Sequence, residues 1–286
     1  MIYLSFHKPH LKDSFSYVVK QNLIANLRRH SLPFTLDPNE KRDIILFPSG
    51  YDYCYLSKEV KPSDRVNILA LSDPEDVICP ESRKVSLTSD ALNAYHRADR
   101  LLVYTKEQKD FLLNSGFKED KIQLLELEET YCDEIPLESE RKSFRSYYQI
   151  DDETKLILFM GNDFSKKDID KIEKLAMLSP DKRFLCFGSL DMSSIKEKKK
   201  ESMATMNNLL FLDVMPEELY RSATHSVDCL LLYTRSQCFP NVLYDFSSTN
   251  TPILSFKPSF NLALLKKLNA IFPEDFPSLY HFISNL

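Results

Sequence analysis

Glycine is the residue this chain most lacks. Its 286 residues hold four, Gly50, Gly116, Gly161 and Gly188. No two stand close enough to build a G-x-G-x-x-G turn or a Walker A loop. A phosphate group held by this chain must therefore rest on helix N-termini and side chains. Tryptophan is absent, so stacking against a carbohydrate would fall to Phe and Tyr. The six cysteines, Cys54, Cys79, Cys132, Cys186, Cys229 and Cys238, include no C-x-x-C pair, which argues against a zinc site. No apolar run reaches the length of a membrane-spanning helix, and no signal peptide opens the chain, so a disulfide framework is not expected either. Positive charge is not in excess: 37 Lys and Arg stand against 42 Asp and Glu, a formal net charge of −5. That removes any general attraction to nucleic acid. The one basic run, Lys196 to Lys200, reads as a solvated face. These absences describe a cytoplasmic protein with no transmembrane segment, peripheral membrane association being left open.

What is present is a globular composition, 43% hydrophobic and 28% charged, long enough for two ordinary domains. Short apolar runs alternate with amphipathic ones. Ile2 to Phe6, Ile44 to Phe47, Val66 to Leu71, Arg100 to Tyr104 and Ile122 to Leu127 read as strands. Helical spacing predicts helices over 13–30 and 89–97, and Thr105 to Gln108 forms a capping box before a helix over 106–115. Pro48-Ser49-Gly50 reads as a turn that ends a strand. An acidic, proline-containing stretch, 128–154, breaks the rhythm. It sets an expected boundary between an N-terminal domain, 1–140, and a C-terminal domain, 141–286. The second half restarts with Lys155 to Met160, a strand ended by Gly161, a helix with Ser165 as its N-cap, and strands over 183–187 and 209–212. Such alternation specifies α/β domains with parallel sheets.

The most informative stretch is 227–256. An apolar strand, Val227 to Tyr233, leads through a polar turn to Phe239-Pro240-Asn241, a short helix to Ser248, and a second strand, Pro252 to Phe256. A strand–loop–helix–strand unit places its loop where open α/β sheets bind ligands. Pro240 suits the first helical turn, whose free amides can hold an anion.

Three segments carry a resemblance. RKSFRSYYQIDDETKLILFMGN, VMPEELYRSATHSVDCLLLYTRSQCFPNVLYDF and RADRLLVYTKEQKDFLLNSGFKEDKIQLLEL resemble, over about 95–256, the GT-B glycosyltransferases of the retaining E-x7-E family, the family 4-like enzymes. The resemblance implies two Rossmann-like, doubly wound domains facing a cleft, an acceptor domain followed by a donor domain. It also implies metal-independent transfer from a nucleotide-diphosphate sugar with no further cofactor, in glycan biosynthesis. Gln237 stands where the family's first glutamate contacts the sugar, and Asp245 where the second bonds the ribose. Phe239, Pro240, Asn241 and Val242 match the loop whose amides approach sugar and diphosphate. Asn162 replaces an Arg after Gly161, and Lys167 keeps a diphosphate-neutralising lysine. Ser72 stands in place of a histidine near the reacting sugar. His7, with Lys8 and His10, is a candidate substitute on the first strand's loop.

Three changed polar positions leave two further readings open. One is a catalytically degenerate GT-B-like binding protein or partner subunit. It is favoured also by a chain shorter than the roughly 350 residues that two such lobes commonly take. The other is a nucleotide-sugar epimerase, whose acid and base residues find no place here. The acceptor implied is a glycan or lipid-linked molecule.

Overall fold

The structure, a computed structural model, describes residues 1–6, 14–72, 76–78, 85–126, 137–164, 166–190, 203, 205–212, 215–216, 219–232, 240–255 and 262–286. The chain forms two compact units. The first comprises 1–132 with 235–244 and 259–266, and the second comprises 133–234 with 245–258 and 267–286.

The first unit is built on a six-stranded sheet, β1 (Ile2–Leu4), β2 (Phe34–Thr35), β3 (Ile44–Phe47), β4 (Arg65–Leu69), β7 (Arg100–Val103) and β8 (Ile122–Leu124). The order is β2-β1-β3-β4-β7-β8, and every pairing is parallel. Its strands are apolar on both faces because both are covered. On one face Tyr3, Ile45, Phe47, Ile68, Leu101 and Val103 pack against Tyr53, Ala91, Ala94, Tyr95 and Leu112. These last come from α2 (Gly50–Leu56), α3 (Ser89–Arg97) and α4 (Lys106–Asn114). On the other face Leu4, Leu46, Leu69 and Leu102 meet Val19, Leu23, Ile24 and Leu27 of α1 (Ser14–Arg29). A small antiparallel pair, β5 (Val77–Ile78) with β6 (Ser86–Leu87), lies apart from this sheet.

α4 begins with the expected capping box: Thr105 accepts from the Gln108 amide, and the Gln108 side chain accepts from the Thr105 amide. α2 departs from the expectation of a turn. Ser49 caps it by accepting from the Asp52 amide, and Gly50 is its first residue. A Cβ on Gly50 would lie 2.7 Å from Asp76 Oδ1 and 3.0 Å from Tyr95 Cε1. The glycine is there to let a carboxylate reach the helix start, not to break the chain.

The second unit holds α5 (Leu137–Tyr147) and a five-stranded parallel sheet. The strands are β9 (Lys155–Phe164), β10 (Lys182–Leu190), β11 (Leu209–Leu212), β12 (Cys229–Leu232) and β13 (Ile253–Ser255), in the order β11-β10-β9-β12-β13. Ile157 and Phe159 pack against Ile169, Ile172, Leu175 and Ala176 of α6 (Lys166–Leu178), with Leu279 and Ile283 from α10 (Phe276–Ser284). α7 (Tyr220–Ser226), α8 (Pro240–Ser248) and α9 (Leu262–Lys267) complete the described helices. β9 continues to Phe164, past the end expected at Met160. The expected N-cap at Ser165 lies outside the described residues. Cys186 and Cys229 are free and buried inside β10 and β12, small apolar fillers as their neighbours predict.

In the second unit, Arg145 on α5 is the centre of a buried charged network. Its guanidinium donates to the carbonyls of Ser226 (2.9 and 3.2 Å), Asp151 (2.8 Å), Asp152 (3.4 Å) and Thr154 (2.8 Å), and to Asp228 Oδ2 (2.8 Å). Asp228 also accepts from the Leu156 amide and from Lys155 Nζ. One side chain thus ties α5, the entry to β9 and the entry to β12.

Candidate functional site

In the second sheet the chain runs outward from β9 through β10 to β11, then returns to the other side of β9 as β12. β9 and β12 are therefore the neighbours at which strand order reverses, with Met160 opposite Leu232. Ligands of open α/β sheets bind outside the carboxyl ends of such a pair. Gly161 follows Met160 at that end of β9, and α6 starts five residues later at Lys166. β12 ends at Leu232, and the next described element, α8, starts at Pro240. The structure thus sets Gly161 and Asn162 at the carboxyl end of β9 and Lys167 in the first turn of α6, while Pro240, Asn241 and Val242 open α8.

Gly161 is buried beside Gly188 of β10. A Cβ on Gly188 would stand 2.0 Å from the Gly161 carbonyl oxygen, and Gly188 has φ of +154°. The register of β9 and β10 shifts there, between Phe187 and Ser189. Such a shift is a bulge or local irregularity, and the missing side chain of Gly188 is what lets the two backbones approach. Gly188→Ala should cost about 1–3 kcal/mol, measured by urea unfolding. It should weaken any ligand that leans on the Gly161 backbone, measured by titration calorimetry with UDP.

Lys167 is exposed in the first turn of α6. Asn241 and Val242 are buried in the first turn of α8, and Asn241 Oδ1 makes no hydrogen bond among the described residues. Buried polar oxygens without partners are rare, so this one marks the helix start as a place for a donor group. One turn on, Asp245 is buried and accepts from the Tyr220 hydroxyl at 2.9 Å. Tyr220 also meets Phe246 edge-on, with ring centroids 6.4 Å apart. Nothing in the pattern around Tyr220 singled it out, since its role depends on α7 packing under α8. Gln237, Phe239, His7, Lys8 and His10 lie outside the described residues, and only the backbone of Asn162 and of Pro240 is described.

In the first unit Ser72 follows β4 and is buried. Its hydroxyl donates to the carbonyls of Pro48 and Leu69, the latter at 2.9 Å. That proton holds a turn together. Beside it a buried network joins three elements. The Tyr95 hydroxyl donates to Asp76 Oδ2 at 2.7 Å and accepts from the Leu71 amide at 2.7 Å. Asp76 accepts in addition from the amides of Tyr51 (3.2 Å) and Gly50 (3.4 Å). Burial pushes its carboxyl up to about 7, against the pull of Tyr95 and the two amides, while nearby Asp52 adds to the rise.

The class defined is an α/β protein of two Rossmann-like doubly wound parallel-sheet units, a GT-B-like fold. Solved structures share it across nearly the whole chain. The structure of WaaG, a glycosyltransferase involved in lipopolysaccharide biosynthesis, superposes with a TM-score of 0.61 at 15% identity, over 100% of this chain and 90% of that one. Anabaena HepE in complex with UDP and glucose gives a TM-score of 0.61 at 12% identity, over 99% and 88%. Sucrose-phosphate synthase from Thermosynechococcus elongatus gives 0.52 at 12% identity, over 92% of this chain and 66% of the other, so this chain spans just under two thirds of that protein. No family model matches the sequence, and no curated protein does. Among the described residues no helix is long and apolar enough to cross a membrane.

Proposed function

We propose that this protein is a glycosyltransferase that takes a sugar from a nucleotide-diphosphate donor, retaining its anomeric configuration and using no metal ion. The observation that carries the reading is the reversal at β9 and β12. Gly161 and Asn162, which sequence resemblance assigns to the donor, stand at the carboxyl end of β9, and Lys167 lies in the first turn of the helix that follows. HepE, which has this fold, binds UDP and glucose. In this reading the amides of Asn241 and Val242 at the start of α8, with Lys167, meet the diphosphate as leaving-group charge develops. The unpartnered Asn241 Oδ1 accepts from the sugar. Asp245, buried and bonded to the Tyr220 hydroxyl, is the ribose ligand in this reading. Gln237, Phe239 and His7 belong to the same assignment, with a glycan or lipid-linked acceptor.

A second reading, a non-catalytic nucleotide-sugar binding protein, is favoured by one observation. Ser72, where the family has a histidine, spends its hydroxyl on backbone carbonyls. Thermal shift with UDP, GDP and their sugars tests binding. A ligand at about one hundred times its dissociation constant should stabilise the protein by about 2.7 kcal/mol, and Lys167→Ala or Asp245→Asn should shrink the shift. No shift with any nucleotide at millimolar concentration would overturn both readings. Slow hydrolysis of a nucleotide sugar, lost in both variants, would remove the second.

A further inference from the structure

α7 and the end of α8 are fastened to each other at two points that keep step. Tyr220, in the first turn of α7, donates its hydroxyl to Asp245 Oδ2 at 2.9 Å. One turn further along both segments, the Thr224 carbonyl accepts from the Thr249 hydroxyl at 2.9 Å and from the Thr251 hydroxyl at 3.4 Å. Residues four apart on a helix share a face, so Tyr220 and Thr224 meet Asp245 and Thr249 with one face of α7. α7 is itself anchored on α5. The Ser222 hydroxyl accepts from the Phe144 amide at 2.8 Å, and the Arg145 guanidinium binds the Ser226 carbonyl. Tyr220 is 3% exposed and Asp245 6%. Packing against Phe246 fixes the Tyr220 ring, and with it the place of the hydroxyl. A buried carboxylate is held by its hydrogen bonds, and the one from Tyr220 limits where the Asp245 oxygens can lie. Aspartate reaches one methylene less far than glutamate. Its oxygens serve a ligand only where the backbone and this bond put them.

We propose that Tyr220 is a positioning residue for donor recognition: braced by α7, it sets the Asp245 carboxylate at the angle from which it takes a hydroxyl of the donor's ribose. The inference rests on the glycosyltransferase reading, in which Asp245 is the ribose ligand, and deepens it. Tyr220 acts through Asp245, never on the nucleotide. Tyr220, Thr224, Asp245 and Thr249 all belong to the second unit.

Titration calorimetry with UDP and GDP, each paired with its 2′,3′-dideoxy analogue, tests this. The ratio of the paired affinities isolates what the ribose hydroxyls contribute. The wild type should prefer the ribonucleotide about tenfold or more, the scale of a hydrogen bond to a charged group. Tyr220→Phe removes one oxygen and keeps the ring against Phe246. It should lower that preference to about threefold or less, while affinity for the dideoxy nucleotide stays within about twofold. Thr249→Val releases the second attachment and leaves Tyr220 and Asp245 in place. It should lower the preference in the same direction, and it carries the test if Tyr220→Phe does not fold. A folded Tyr220→Phe with the wild-type preference overturns the proposal. So does one that weakens both nucleotides alike, the mark of a merely structural residue. Where only Thr249→Val folds, an unchanged preference overturns it. A wild type that binds UDP or GDP no better than the dideoxy analogue overturns this inference and leaves the glycosyltransferase reading standing. A wild type that binds none of the four overturns that reading, and this one with it.

Discussion

Arg145→Ala should remove about 3–5 kcal/mol from the second unit, as breaking a buried ion pair from one side does. The guanidinium is 1% exposed and its bonds reach three places in the chain. Its loss takes a donor from the Ser226, Asp151 and Thr154 carbonyls and, among the described residues, leaves Asp228 to the Leu156 amide and the half-exposed Lys155. A domain with an ordinary margin of about 5–15 kcal/mol would approach its limit. Urea unfolding followed by circular dichroism measures the change. Arg145→Lys should recover part of it, because a point charge replaces a planar fork. A cost under about 1 kcal/mol for Arg145→Ala would show that the network holds nothing that packing does not.

The stability of the first unit should fall as pH rises through neutrality, and Asp76 should be the cause. Its carboxyl titrates near 3.8 in a model chain and is pushed up to about 7 when folded. Between those values the folded state holds a proton that the unfolded state has released. Stability is therefore full below about pH 4, is lost steadily as pH rises, and levels off above about 7. From pH 5 to pH 8 this one group accounts for about 3 kcal/mol, at 1.36 kcal/mol per pH unit. The groups facing it are Tyr95 on α3 and Asp52 on α2. The Cys54 thiol, also on α2, is itself raised by burial first, then by Asp90 and Asp76. Asp76→Asn fixes the side chain as neutral. Its stability relative to wild type should rise by about 3 kcal/mol between pH 5 and pH 8, measured by calorimetry. Parallel pH curves for the two proteins would show that Asp76 titrates normally.

Periodicity found most of the elements because each strand is buried on both faces and each helix shows one apolar face to the sheet. Ile44–Phe47, Ser89–Arg97, Leu209–Leu212 and Pro240–Ser248 stand where their residues place them. α2 escaped because Gly50 looks like a breaker until Asp76, far along the chain, is seen against it. The edge at β9 and β12 was legible from the strand–loop–helix–strand pattern and from Gly161. The partners were not. Tyr220 reaches Asp245 across 25 positions and Tyr95 reaches Leu71 across 24. Local pattern carries no record of such pairings, which exist only once helices lie on sheets. Gln108 was recognised as half of a capping box, and its second task, holding Leu71, uses the amide nitrogen that the cap leaves over.

The make-up of the first unit bears on how the protein is born. Residues 235–244 and 259–266 belong to it, although its own strands end before residue 132. A translating ribosome must therefore add about 130 more residues, on the order of ten seconds of synthesis, before that unit has all its parts. Until then the nascent half-protein carries a finished parallel sheet with an unfinished surface, and it is in this interval that a chaperone would find something to hold.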